Sequence, residues 1–244
     1  MSRSSTSEAL YFRQLLAGRD FATADPVAGQ MVNFAYLIGD KQTHECLLVD
    51  PAWDVESLVK LAQADDMKVI GALGSHYHPD HLGGDMMGFS VEGARRLLEL
   101  VPVKIHVHEK EVPWVKRVTG LSDSDLAPHA GSDVLKVGSI PIQFVHTPGH
   151  TQGSTCFLVG GDRLVAGDTL FVGSCGRVDL PGSDPEEMYR SLTQRLSKLP
   201  DDVTLYPGHD YGETPTSTLG EQRRSNYAMR VPSLSQWLQM MGRG

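Results

Sequence analysis

Three histidines and one aspartate fall within six residues, His76-Tyr77-His78-Pro79-Asp80-His81. The apolar run 68–73 (KVIGAL) reads as a short buried strand and delivers the chain to them. The cluster therefore sits where a strand ends, which is where sites form in layered α/β folds. Two histidines one residue apart on an extended segment point the same way. Pro79 and Gly83-Gly84 supply turn chemistry that can bring Asp80 and His81 to a second position close by. One short segment can thus serve two adjacent metals. Imidazole and carboxylate are the usual ligands of zinc and of non-haem iron. A lone histidine is more often an exposed loop residue; four ligand types packed this tightly point to a metal site.

Three further stretches repeat the pattern. Thr147-Pro148-Gly149-His150-Thr151 follows the strand-like run 140–145, and Ala166-Gly167-Asp168-Thr169 follows 163–166. Tyr206-Pro207-Gly208-His209-Asp210 follows 203–206. Each is a small-residue turn presenting one ligand-type side chain, and a polydentate site needs that from several loops on one rim. Other strands are expected at 31–38, 45–49 and 155–159, with turns at Gly39-Asp40 and Gly160-Gly161. Asp54 reads as the cap of a helix carrying Leu58, Leu61 and Ala62. Asp184 caps a second, with Pro185 at its first position and Met188, Leu192, Leu196 and Leu199 as its buried stripe. The tail from Thr218 is expected to be helical in part. Strand groups in both halves, each ending in ligand types, suit an α/β chain of two mixed sheets packed face to face with helices outside.

Residues 1–244 read as one domain, with an insertion at about 85–138 near the site. That stretch shows a helical pattern at 91–100, a strand-like run at 103–107 and a polar loop at 122–132. Its Met86, Met87, Phe89 and Trp114 could form an apolar lid or simply pack on the sheets. His44, His106, His108, His129 and His146 read as surface or strand-end residues, and Cys46 and Cys156 as small buried hydrophobes.

Composition excludes several function classes. The formal net charge of −8 argues against bulk binding to nucleic acid or an anionic membrane. Three cysteines make no disulfide framework and fit a reducing compartment. No apolar run reaches membrane-spanning length, and the polar, Ser-rich 1–8 has no secretory signature and reads as a frayed tail. The expectation is a cytoplasmic protein with a small-molecule partner, its oligomeric state left open with a homodimer as one option.

The segments SHYHPDH, TPGHT, AGDTLF and YPGHDYG resemble, in the same order, the ligand motifs of the metallo-β-lactamase superfamily. The resemblance runs from about residue 11 to about residue 212. It implies a four-layer αββα sandwich with the metals at one edge. It also implies that His76, His78 and His150 bind a first metal, that Asp80, His81 and His209 bind a second, and that Asp168 bridges them. Asp50 matches an aspartate that supports the first-metal histidines from behind. Two Zn2+ ions are the implied cofactors, with iron or manganese as substitutes. Two metals sharing a carboxylate also share a hydroxide, a nucleophile at neutral pH for a thioester or ester carbonyl. Asp80 and Asp168 would be the catalytic carboxylates.

Within the superfamily the run Gly173-Ser174-Cys175-Gly176-Arg177 is similar to that of glyoxalase II, the hydroxyacylglutathione thioesterases. There the positions of Arg177 and Tyr211 help hold glutathione. The chain departs from that family at Asp179, where a second pocket tyrosine is expected, and in the 35 residues after His209, too few for its helical C-terminal domain. Persulfide dioxygenases resemble the run Cys175-Gly176-Arg177-Val178-Asp179 and imply one Fe2+ on His76, His150 and Asp168. A lactonase or β-lactamase-like hydrolase and a non-enzymatic metal scaffold are further readings. The reading preferred here is a binuclear, glyoxalase II-like thioester hydrolase.

Overall fold

In the computed structural model, which describes residues 8–242, β1 (Leu10–Leu16) runs antiparallel to the strand that follows it. Residues 1–7 of the expected frayed tail lie outside the described residues. Next comes α1 (Pro26–Met31): the Asp25 carboxylate accepts from the backbone N–H of Val27 and Ala28, and Pro26 takes the first position. The strand expected from residue 31 therefore starts only at β2 (Phe34–Asp40), because this start signal claims Met31 for the helix. β3 (Glu45–Val49) pairs antiparallel with β2, and Asp40 stays in the ladder opposite Glu45. The turn is thus at 41–44 rather than at Gly39-Asp40, with the buried Asp40 carboxylate accepting from the backbone N–H of Gln42 and Ser139.

α2 (Val55–Ala64), capped by Asp54, crosses to β4 (Lys68–Leu73), which lies parallel to β3. A single turn, α3 (Pro79–Leu82), carries the middle of the ligand cluster and leads into the hairpin of β5 (Gly84–Met86) and β6 (Phe89–Val91). α4 (Ala94–Leu100) then crosses to β7 (Ile105–His108), and α5 (Val112–Thr119) to β8 (Leu126–His129), both strands continuing the parallel ladder. The stretch 85–138 thus supplies two strands of the first sheet, ordered β1-β2-β3-β4-β7-β8. The polar loop expected at 122–132 contains β8, which pairs with β7 from Leu126 to His129.

The second sheet is a meander of β9 (Val134–Val137), β10 (Ile140–His146), β11 (Thr155–Val159) and β12 (Arg163–Val165). A small hairpin of β13 (Leu170–Phe171) and β14 (Ser174–Cys175) follows, then α6 (Pro185–Arg190), capped by Asp184. β15 (Thr204–Tyr206) lies parallel to β12, and β16 (Ser217–Thr218) closes the edge. α7 (Leu219–Ser225) and α8 (Leu234–Met240) cover the outer face, with the buried Trp237 donating to the Pro185 carbonyl at 2.7 Å.

Three apolar cores define four layers. Every residue of β2 is buried, so it shows no in–out alternation. Its Ala35 and Leu37 face the helices with Leu58, Ala62 and Leu97, while Phe34, Tyr36 and Ile38 face the other sheet with Ile142, Phe144 and Phe157. On the far side Leu164 and Leu205 meet Met188, Leu192 and Leu196. This is the expected sandwich of two mixed sheets between helical layers. None of the helices among the described residues is long and apolar enough to cross a membrane.

Candidate metal centre

The ligand-type residues come from loops at one edge of both sheets. Ser75 and His76 follow β4, His78 precedes α3, and Asp80 and His81 lie on it. His150 follows β10, Asp168 follows β12 and His209 follows β15. Small residues let these loops close together. A Cβ on Gly208 would strike the Asp168 carboxylate, so the Pro-Gly turn before His209 accepts no larger residue.

Three imidazole nitrogens converge in one half of the centre. His78 Nδ1 lies 3.1 Å from His76 Nε2 and 2.9 Å from His150 Nε2. In the other half Asp80 Oδ2 lies 3.4 Å from His81 Nε2 and 3.3 Å from His209 Nε2, and the two Nε2 atoms are 3.2 Å apart. Asp168 stands between: Oδ1 is 3.3 Å from His81 Nε2, and Oδ2 is 3.5 Å from His209 Nε2 and 3.6 Å from His150 Nε2. All seven residues singled out by sequence are thus brought together, and the ligand atoms of each trio lie within 4.8 Å of one another.

The outward nitrogens are tied down. His76 Nδ1 donates to Ser75 Oγ (3.0 Å), His150 Nδ1 to the Arg177 carbonyl (2.8 Å), His81 Nδ1 to Asp50 Oδ2 (2.9 Å) and His209 Nδ1 to the Met31 carbonyl (2.8 Å). These partners make the outward nitrogens N–H donors and turn four Nε2 atoms inward. Asp50 differs from expectation: its direct contact is His81, and it reaches His76 only through Ser75, whose Oγ and N–H it accepts at 2.6 and 2.7 Å. Asp50 and Trp53 both hold positive φ, at 52° and 72°, a costly conformation for such residues and one that clusters at functional sites.

Electrostatics divides the two halves. Burial pushes the His76 and His150 imidazoles down and His78 to about 4, helped at His76 and His78 by neighbouring imidazoles, so all three favour the neutral, ligating form. Burial alone would raise Asp80 and Asp168, but His81 and His209 outweigh it and hold both carboxylates ionised. In return, against burial, the carboxylates raise His81 strongly and His209 to about 9. This pull is a demand for positive charge, which a divalent cation would meet. Asp168 Oδ1 is buried without a hydrogen-bond partner, an orphan that a metal would satisfy. Nitrogen and oxygen donors in these trios suit zinc, and iron or manganese as well.

Two residues absent from the sequence reading complete the site. Glu111 is fully buried; its Oε2 accepts from Tyr77 N (2.8 Å), and its Oε1 from Thr151 Oγ1 (2.8 Å) and Gly153 N (2.7 Å). It therefore ties the loop of His76 and His78 to that of His150. Asn33, also buried, donates to Asp80 Oδ2 at 3.1 Å and accepts from Trp53 Nε1 at 3.1 Å. Their only sequence signal is a polar residue beside an apolar run.

A cavity of about 590 Å³ opens over the centre, with Arg177 and Tyr211 on its lining. Arg177 is exposed and doubly bonded to Asp179, at 2.9 and 2.8 Å. The Tyr211 ring stacks on His209, with centroids 4.6 Å apart. Met86 and Met87 line the cavity, and Met86 also packs with Phe89 and Trp114 against the first core.

The profile of the Metallo-beta-lactamase superfamily matches residues 28–209. A hydroxyacylglutathione hydrolase of Polaromonas sp. is 35% identical over 184 residues, which are 74% of this chain and 63% of that protein. The chain thus spans less than two thirds of that relative's length. The human mitochondrial persulfide dioxygenase ETHE1 is 28% identical over 211 residues, covering 86% of this chain and 76% of the relative. The crystal structure of ETHE1 from Myxococcus xanthus superposes with a TM-score of 0.76 at 28% identity, over 95% of this chain and 90% of that one.

Proposed function

The chain belongs to the metallo-beta-lactamase superfamily, and from that premise we propose that it is a binuclear, zinc-dependent hydrolase of thioesters, glyoxalase II-like in its chemistry. The observation that carries this reading is the pair of ligand trios, His76/His78/His150 and Asp80/His81/His209, with Asp168 in contact with both. A mononuclear centre on His76, His150 and Asp168 would give the second trio no task.

In this reading the two ions, when bound, polarise the carbonyl and supply a nucleophilic water at neutral pH. The chain's own residues do the rest. Asp168 would offer one carboxylate to both trios. Ser75, Asp50, the Arg177 carbonyl and the Met31 carbonyl hold the imidazoles in register. The Tyr211 phenol, pushed up to about 12 by burial and by the Asp168 charge, keeps its proton and can donate to substrate at the cavity mouth. Burial raises the Cys175 thiol in the same cavity to about 12, so it is no competing nucleophile at neutral pH. Free Cys46, Cys156 and Cys175 suit a reducing, cytoplasmic setting.

Protein purified without added metal is expected to carry close to two zinc-class ions per chain and to hydrolyse S-lactoylglutathione. Elemental analysis decides the first point and loss of thioester absorbance the second. One iron per chain, with oxygen uptake on glutathione persulfide, would replace the reading with a dioxygenase.

A further inference from the structure

The cavity over the ligand trios has a lining that does not suit an anionic tripeptide. Arg177 is the one lysine or arginine among its lining residues. One side of its guanidinium is already engaged, Nε with Asp179 Oδ1 and a terminal nitrogen with Asp179 Oδ2. An anionic headgroup would meet a guanidinium whose charge Asp179 already partners at an exposed position, so it would gain little there.

The apolar part of the lining is more distinctive. Met31 ends α1, Met86 closes β5 and Met87 sits in the following turn; Leu180 and Pro181 join them from the loop after Asp179. Methionine side chains are flexible and polarisable, and surfaces rich in them accept varied apolar ligands. Met87 is 85% exposed, with φ at +50°. A large apolar side chain held in water on a strained backbone is costly twice over, which marks a position kept for contact.

From the juxtaposition of this methionine-lined wall with the ligand trios, and resting on the thioesterase reading above, we propose that the substrate is a thioester with an uncharged, apolar acyl chain. The chain lies along Met31, Met86 and Met87, and its carbonyl reaches the centre between Asp80 and Asp168. Glutathione-type anionic thiols are not the preferred carriers. Transfer of one methylene from water to such a wall is worth about 0.8 kcal/mol, or about fourfold in binding.

The test uses zinc-loaded protein and two matched series with acetyl-, butanoyl- and hexanoyl-length chains: N-acetylcysteamine thioesters and their non-hydrolysable thioethers. Calorimetry on the thioethers is expected to show affinity rising severalfold per added methylene. In the hydrolysis assay kcat/KM should rise along the thioester series and exceed that for S-lactoylglutathione at hexanoyl. Met87→Asp, a change at an exposed position checked by its unchanged melting temperature, should flatten the chain-length dependence. Affinity independent of chain length would overturn the proposal, whatever the hydrolysis shows. So would preference for S-lactoylglutathione that is lost in Arg177→Ala. Chain-length-dependent thioether binding without hydrolysis of any thioester would uphold the apolar pocket and sink the hydrolase reading.

Discussion

The molecule holds two clusters of histidines. One gathers His76, His78, His81, His150 and His209; the other gathers His106, His108, His129 and His146 on β7, β8 and β10. In the second, the rings bond or stack on one another and on neighbouring groups instead of converging on one point. His106 Nδ1 donates to His129 Nε2 at 2.8 Å, and His129 Nδ1 donates to Asp133 at 3.1 Å. His108 stacks on His146 at 4.0 Å, and His146 Nε2 donates to the Gln152 carbonyl at 3.0 Å. In the first cluster the partners stand behind the rings and the inward nitrogens face one another beside two buried carboxylates. Among the described residues, trios of ligand atoms converge only there. A histidine count does not identify a metal centre; the side on which each ring finds its hydrogen bond does.

The largest effect is expected where the first cluster depends on a shared carboxylate. On the binuclear reading proposed above, Asp168→Ala should remove a ligand from both ions and leave less than one ion per chain. Activity should fall on the order of a thousandfold or more, since the metals supply several kcal/mol of transition-state stabilisation. Metal content is the sharper measurement: two ions retained per chain would show that Asp168 does not bridge.

A smaller effect is expected from the groups behind the rings. Glu111→Gln keeps shape and burial but offers an amide N–H where one of three donors now points. Asp50→Asn weakens the acceptor behind His81 in the same way. Each should lower metal affinity by about 10- to 100-fold, read by competition with a chromogenic chelator. Glu111 touches only the loops of the nitrogen-rich half, so on the binuclear reading its variant should lose one ion preferentially. Equal loss of both, or no loss, would deny it a positioning role.

These two tethers also show what could be read in advance. The ligands were legible because four fall within six residues after a strand and the other three each stand in a small-residue turn at a strand end, both local patterns. The layers were legible because runs such as 69–73 and 156–159 are apolar throughout, as strands covered on both faces are. Glu111 was not legible. It lies in the polar run Glu109-Lys110-Glu111, and its partners Tyr77 and Gly153 are 34 and 42 residues away. The same holds for Asn33 with Asp80, 47 residues apart. Met31 was assigned to a strand because MVNFAYLI is rich in β-formers; the Asp25-Pro26 signal before it decided otherwise, and its carbonyl became the anchor of His209.

The smallest effect tests the second cluster. Burial, with the neighbouring His129 and His146, pushes His106 and His108 from the ordinary 6.5 to about 4. Lys110 adds to the depression of His108, and Asp133 opposes it. Above pH about 6.5 both rings are neutral in the folded and unfolded chain, and their contribution to stability is fully present. As pH falls from there toward 4, the unfolded chain binds protons that the folded one refuses, so stability is lost over that window. His106→Gln combined with His108→Gln should therefore reduce the drop in melting temperature between pH 7 and pH 5, with metal content at pH 7 unchanged. Loss of metal in this double variant would mean that the second cluster also feeds the centre, and the contrast between the two clusters would fail.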